Sequence, residues 1–177
     1  MNLVLVGALV PATLMALREA LVRHTPDFDA ETWRQDTPGT AHSHTQTLYL
    51  RMPPTITRET VFESLEVEDR MLMGVPMFCR AVATVAKIAR GKPARAMIVR
   101  LHPERAVARH IDQGGYAAAT QRYHLAINTN PGAQLIVDDT AVTPKPGEIY
   151  FFDKSQPHLA ANWGRTPRDH LIVDIWK

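Results

Sequence analysis

The second half of the chain consists of short β-type segments separated by turn residues, and this pattern restricts the fold more than any other feature. The segments cover residues 96–101, 106–112, 121–128, 134–138, 148–152, 158–163 and 170–176. The runs Asn130-Pro131-Gly132 and Pro144–Gly147 provide turn breaks between them. Many short strands at this spacing indicate a β-sandwich or a β-barrel. We therefore predict an antiparallel β-barrel in this half of the chain.

The first half of the chain is predicted to be a mixed α/β layer that backs the barrel. Its elements are a strand at 3–6, a helix from Pro11, a loop at 24–44, a strand at 45–51, and helices at 58–70 and 76–89. The last helix has the strongest signal, because its apolar residues are three and four positions apart. No linker separates the halves, so we expect one domain over residues 1–177, mainly β with N-terminal helices. Its support layer would be 1–95 and its core 96–177.

Charge and composition narrow the choice of partners. The net charge of +2 gives no reason to expect a nucleic-acid partner. The apolar start of the chain is broken by Pro11 and is short for a membrane span, so no membrane partner is expected. A signal peptide is the alternative for this stretch, although it has no basic leader. The single cysteine, Cys79, cannot form an internal disulfide, which favours a reducing compartment and a cytoplasmic location.

Two histidines and one aspartate in the barrel region are candidate metal ligands. His110 and Asp112 are two residues apart, so within a strand their side chains would point to the same face. His158 would come from another strand. Two imidazoles and one carboxylate suit iron(II) and leave coordination positions open for chemistry, although zinc accepts the same set.

Three further basic residues are candidates for binding an anionic ligand. Arg168 enters an apolar strand, where an unpaired charge is costly. A dicarboxylate co-substrate would pair with it, and an internal salt bridge to Asp174 or Glu148 is the alternative. Arg122 and His124 alternate on one strand and so share a face. They are predicted to contact the same co-substrate, with a structural ion pair as the alternative.

The C-terminal motifs resemble those of the aspartyl/asparaginyl β-hydroxylase family of 2-oxoglutarate-dependent oxygenases. The motifs are Pro146–Asp153, His158, Asn162, Arg168, the run 171–176 and the strand segment 122–125. The resemblance implies a double-stranded β-helix (a jelly-roll or cupin-like barrel) with iron at its mouth. His110 and His158 would be iron ligands, and Arg168 would hold the 5-carboxylate of 2-oxoglutarate. Arg122 and His124 would lie near the other end of that molecule.

One departure from the family pattern bears on the substrate. The animal aspartyl hydroxylases have glycine where this chain has Asp112, so the complete triad is closer to bacterial relatives that hydroxylate free proline or other small molecules. Nucleic-acid demethylating oxygenases carry an arginine six residues after the co-substrate arginine, whereas this chain has Asp174 there. A nucleic-acid substrate is therefore not expected.

The function predicted from these residues is hydroxylation of an unactivated C–H bond in an amino acid, a peptide side chain or a small metabolite. The reaction would use Fe(II), 2-oxoglutarate and O2. A non-catalytic binding barrel and a zinc-dependent hydrolase are the alternatives, and the oligomeric state stays open. From their positions, the residues predicted to contact substrate are Gln113, Tyr116, Gln46 and Trp163. The loop 42–46 as a whole is a candidate wall of the substrate site, and His42 and His44 within it are interpreted as loop residues and not as metal ligands.

Overall fold

Two antiparallel sheets face each other, and helices cover the outer face of the larger one. The computed structural model describes residues 2–177. The strands are β1 (Leu3–Ala8), β2 (Thr45–Met52), β3 (Glu68–Asp69), β4 (Pro93–Leu101), β5 (Arg105–His110), β6 (Thr120–Asn128), β7 (Ala133–Val137), β8 (Thr140–Val142), β9 (Glu148–Phe152), β10 (His158–Asn162) and β11 (Arg168–Trp176). The helices are α1 (Pro11–Arg23), α2 (Trp33–Asp36), α3 (Arg58–Glu63), α4 (Pro76–Ala89) and α5 (Gly115–Ala119), with 3₁₀ turns at Thr25–Asp29 and Met71–Gly74.

The larger sheet has the strand order β1-β9-β6-β11-β4-β2-β3, and the smaller sheet has the order β5-β10-β7-β8. Strands that are distant in sequence become neighbours, since β11 lies between β6 and β4. The smaller sheet pairs His158 of β10 with His110 of β5. This pairing brings two of the candidate ligands to adjacent positions.

The apolar core lies mainly between the larger sheet and helices α1 and α4. Phe78 and Val85 of α4 and Leu17 of α1 are fully buried against outward-facing residues of the sheet such as Leu125 and Val173. The alternate residues of β6 and β11 point to the other face, which looks into the barrel. Two smaller apolar clusters occupy part of this interior, one around Leu135 and Phe152 and the other around Tyr49 and Met97. The rest of the barrel interior is polar, and the candidate site lies there.

The structure confirms the predicted β-rich class and corrects several element boundaries. The helix expected over 58–70 ends at Glu63, because the Arg95 guanidinium binds the carbonyl oxygens of Thr60, Val61 and Ser64 and so caps the end of α3. Residues 68–69 instead pair with β2. The expected strand over 106–112 ends at His110, which leaves Asp112 in the following loop. Between residues 2 and 177, no helix has the length and apolarity needed to cross a bilayer.

Candidate metal centre

His110, Asp112 and His158 come together at the mouth of the barrel. One potential ligand atom from each residue lies within 4.8 Å of the other two. The Asp112 Oδ1 atom is 3.4 Å from His110 Nε2 and 3.7 Å from His158 Nε2. The spacing of His110 and Asp112 predicted this proximity through strand alternation. The structure achieves it differently, because the chain leaves β5 at His110 and turns before Asp112.

Both imidazoles are oriented by the backbone so that the same nitrogen faces the centre. His110 Nδ1 is 2.7 Å from the Ala108 carbonyl oxygen, and His158 Nδ1 is 2.8 Å from that of Gln156. A carbonyl oxygen can only accept, so Nδ1 carries the proton in each ring and the Nε2 lone pair is available. Burial lowers the pKa of His158 to about 4, which keeps this ring neutral. Neutral imidazoles of fixed tautomer are the form that binds metal.

The Asp112 carboxylate is held ionised between the histidines and a guanidinium. Burial by itself would raise its pKa, but the Arg122 charge is the main cause that holds the pKa well below its usual range. Arg122 Nη1 binds Asp112 Oδ2 at 2.5 Å. Oδ1 is therefore the oxygen that faces the two Nε2 atoms. The backbone N–H of Asp112 donates to the Lys154 carbonyl oxygen and fixes the loop.

Arg122 forms the ion pair that the sequence left open as the alternative to co-substrate contact. Its Nε and Nη2 atoms donate to the two oxygens of Asp174 at 2.8 and 3.1 Å, while Nη1 binds Asp112. Lys154 lies 3.7 Å from the same Asp174 carboxylate. These contacts give Arg122 two internal carboxylates as partners. They do not support the prediction that it binds the co-substrate.

Arg168 has no such partner. Its Nη2 is 2.8 Å from His170 Nδ1, and its Nε is buried without a hydrogen bond. Among the described residues no carboxylate lies within salt-bridge distance of it, which rules out the alternatives proposed from sequence: Asp174 binds Arg122, and Glu148 binds Tyr150. Burial lowers the pKa of Arg168 to about 9. A buried guanidinium in this state favours an anionic ligand.

His124 lies between Arg168 and the metal centre. Both of its ring nitrogens are buried and unpartnered, as is Nε2 of His170. Burial, and then the Arg168 charge, keep the pKa of His124 well below its usual range. The His124 ring centroid is 4.6 Å from that of Phe152, which is 4.9 Å from that of His158. His124 is therefore close to Arg168 on one side and, through Phe152, to His158 on the other.

A cavity of about 560 Å³ adjoins the outer side of the metal centre. His110, Asp112, Gln113 and Tyr116 line it, so two of the four predicted substrate residues are brought to it. The other two do not line it. Gln46 lies opposite Arg100 in the pairing of β2 with β4. The Arg100 guanidinium binds Asp169 and lies over the Phe28 ring, on the helix-covered face of the sheet. Trp163 is 61% exposed beyond the end of β10.

Of three residues on the far wall of this cavity, the sequence analysis included His42 in a candidate wall loop but did not predict Arg34 or Tyr49. Arg34 and His42 come from the polar stretch interpreted as loop, and Tyr49 comes from β2. The strand alternation of β2 was visible in the sequence and would have placed Tyr49 inside the barrel with Thr47. No periodicity or motif distinguishes Arg34 from the surrounding polar residues.

A profile of the family described as Aspartyl/Asparaginyl beta-hydroxylase matches residues 29–177. A similar protein is the L-proline cis-4-hydroxylase of Rhizobium meliloti (strain 1021), which is 35% identical over 78 residues. These residues are 44% of this chain and 28% of that protein. The matched part therefore spans under a third of the length of the relative.

Solved structures with similar folds cover almost the whole chain. They include a Pseudomonas putida prolyl-4-hydroxylase (TM-score 0.62, 16% identity, 99% of this chain and 92% of that chain) and a viral collagen prolyl hydroxylase from Paramecium Bursaria Chlorella virus-1 (0.60, 9%, 99% and 96%). A third is the non-heme alpha ketoglutarate dependent epimerase SnoN (0.64, 14%, 98% and 76%). At these identities the likeness shows the fold, and it confirms the predicted jelly-roll class.

Proposed function

Because the chain belongs to the aspartyl/asparaginyl β-hydroxylase family, we propose that it is an Fe(II)- and 2-oxoglutarate-dependent dioxygenase. Its reaction is hydroxylation of an unactivated C–H bond in an amino acid, a peptide side chain or a small metabolite. The observation that carries this proposal is the convergence of His110, Asp112 and His158 beside a buried guanidinium without a carboxylate partner. The L-proline cis-4-hydroxylase relative supports the reaction class.

The donor set fits iron(II). His110 and His158 offer Nε2, and Asp112 offers Oδ1, so three protein ligands leave room for exogenous ligands. When bound, iron(II) with 2-oxoglutarate and O2 supplies the oxidising power for C–H hydroxylation, and 2-oxoglutarate is converted to succinate and carbon dioxide. The Ala108 and Gln156 carbonyl oxygens fix the tautomers of the two imidazoles, and Arg122 keeps Asp112 ionised.

The buried donors around Arg168 fit the co-substrate. Arg168 provides a charged donor for the 5-carboxylate of 2-oxoglutarate, and His124 provides a neutral donor between this carboxylate and the metal centre. Binding would give hydrogen-bond partners to buried atoms that otherwise lack them. The Phe152 ring, 4.6 Å from that of His124, supplies an apolar surface beside these donors.

Anaerobic titration with Fe(II) and 2-oxoglutarate, followed by oxygen and measurement of succinate, tests the proposal. We expect succinate to form, even without a coupled substrate, and expect His110→Ala and Arg168→Ala to lose this activity. Unchanged succinate in both variants would refute the site assignment. A wild-type protein that binds 2-oxoglutarate but forms no succinate would instead be a binding barrel.

A further inference from the structure

The outer cavity contains more positive charge than its own carboxylates neutralise. The cationic side chains that line it are Arg34, Arg58, Arg95, Arg122 and Lys154, and the anionic ones are Asp112 and Asp174. Three of these cations have internal partners: Arg122 binds both carboxylates, Lys154 binds Thr120 near Asp174, and Arg95 binds three carbonyl oxygens. Arg34 and Arg58 are the two lining cations for which no carboxylate or carbonyl partner is found among the described residues.

Arg34 is the cation of interest because it is partly buried, whereas Arg58 is exposed. Among the described residues its guanidinium donates to His42 Nε2, at 3.0 Å, and to the Met97 sulfur, at 3.5 Å. Among the described residues no carboxylate lies within salt-bridge distance of it. Burial lowers the pKa of Arg34 to about 10. A desolvated guanidinium that contacts only an imidazole and a thioether lacks an anionic partner.

The neighbours of Arg34 add two further donors. Arginine can only donate, so the bond to His42 requires Nε2 to accept, which leaves the proton of that ring on Nδ1. Among the described residues this Nδ1 atom is buried without a hydrogen-bond partner. The Tyr49 hydroxyl on the same cavity wall lies near the Thr47 side chain and the Arg34 backbone, but no described acceptor lies within hydrogen-bond distance of its own proton. A guanidinium, an imidazole N–H and a phenol O–H therefore face one cavity, and among the described residues none of them has an anionic partner there.

The position of these donors relates them to the metal centre. The His42 ring contacts the His110 ring edge-on, with centroids 5.2 Å apart. A ligand bound to Arg34 and His42 would thus lie next to a candidate metal ligand. Arg168, His124 and His170 do not line this cavity, so these donors are separate from the residues assigned to 2-oxoglutarate.

Building on the proposed function, we propose that Arg34, His42 and Tyr49 form a subsite that binds a carboxylate group of the substrate. A carboxylate has two oxygens that accept from a guanidinium fork and leaves lone pairs for the other two donors. The volume of about 560 Å³ suits a small molecule. The substrate class is therefore a free carboxylic acid, such as an amino acid, in preference to an uncharged side chain within a peptide.

Binding of acid and amide pairs tests the subsite without requiring turnover. The probes are the free L-amino acids and their primary amides, added to the metal-free protein with 2-oxoglutarate. Binding is followed by tryptophan fluorescence, since Trp33 lines the cavity beside Arg34. We expect at least one free acid to bind about 10-fold or more tightly than its amide, as expected for a charge-assisted contact. If no free acid binds, or if acid and amide bind equally, the proposal is overturned.

Three variants assign the preference to its residues. Arg34→Met should abolish the preference for the acid, whereas Arg58→Met, which removes the same charge from the exposed rim of the cavity, should retain it. Tyr49→Phe removes one hydroxyl without changing the packing. It should weaken acid binding about 3- to 10-fold, as for one lost hydrogen bond, without lowering the melting temperature. A preference retained in Arg34→Met would overturn the proposal.

The result can be separated from that of the proposed function. Acid selectivity that depends on Arg34, in a protein that forms no succinate, would support the subsite and refute the oxygenase. Succinate formation without acid selectivity would support the oxygenase and refute the subsite. Arg34→Met should also retain the affinity for 2-oxoglutarate. If it lost that affinity, Arg34 would belong to the co-substrate pocket and the proposal would fail.

Discussion

Replacing Arg122 by methionine is expected to destabilise the metal-free protein by about 3 kcal/mol. The substitution removes two hydrogen bonds to Asp174, of 2.8 and 3.1 Å, and the contact with Asp112. Breaking a buried ion pair by removing one partner costs about 3–5 kcal/mol, because the other charge stays buried. Asp174 is 1% exposed, but Lys154 remains 3.7 Å from it, and the Asp112 side chain is 20% exposed. These residual contacts favour the lower end of the range.

Urea unfolding at pH 7 measures this loss. For a domain of this size, a loss of about 3 kcal/mol corresponds to a fall of roughly 6–12 °C in melting temperature. The matched control is Arg105→Met, since Arg105 is exposed and donates only to the carbonyl oxygen of the adjacent Glu104. Its effect should stay within about 0.5 kcal/mol. A loss below about 1 kcal/mol for Arg122→Met would show that the pairing with Asp174 and Asp112 contributes little net stability, and the reasoning would be wrong.

Three other predictions concern pH, ligand binding and packing. The free energy of unfolding of the metal-free protein should fall as pH drops from about 6.5 to 4, because His158 is protonated in the unfolded chain but stays neutral in the folded one. His158→Gln should remove up to about 3 kcal/mol of this change. If urea unfolding shows the same dependence on pH for the variant and the wild type, this prediction is wrong. Arg168→Met should raise the stability of the free protein by about 1 kcal/mol and abolish the thermal shift caused by 2-oxoglutarate; a retained shift would exclude Arg168 as the anchor. Gly132→Ala should lower the free energy of unfolding by about 1–3 kcal/mol, because the new Cβ would lie 2.4 Å from the Gly164 backbone nitrogen. Gly74→Ala should not lower it, because the space around Gly74 is open. Equal melting temperatures of the two variants would refute this prediction.

Much of the fold was predictable because local pattern and tertiary packing agree. Helix α4 has the predicted bounds, since its apolar face is the face that packs on the sheet. Strand β9 also has its predicted bounds. The helix predicted over 58–70 was too long, because the contacts that end α3 come from Arg95, which is distant in sequence. Strand β3 and helix α5 depend on similar long-range contacts and give no signal in the local sequence.

In the candidate site too, local sequence predicted some residues, whereas others depend on contacts between distant parts of the chain. The spacing of His110 and Asp112 and the position of Arg168 predicted residues that the structure brings near one another or buries in the barrel. The partners of Arg122 could not be predicted, because Asp112 and Asp174 lie on opposite sides of it in sequence and meet it only through the loop after β5 and the pairing of β6 with β11. Arg34 was also missed, because its environment depends on how the 24–44 stretch folds over the barrel mouth.

The arginines of the barrel interior separate into two kinds, and the distinction relates stability to function. Arg122 has internal carboxylates, so its loss should destabilise the free protein. Arg168 and Arg34 have none among the described residues, and each is desolvated on its own side of the metal centre. A charge of this kind costs free energy until an anion pairs with it. Two such charges therefore indicate two anionic groups, the inner one from 2-oxoglutarate and the outer one from the substrate. Loss of either arginine should weaken ligand binding while sparing the fold, the reverse of the result expected for Arg122.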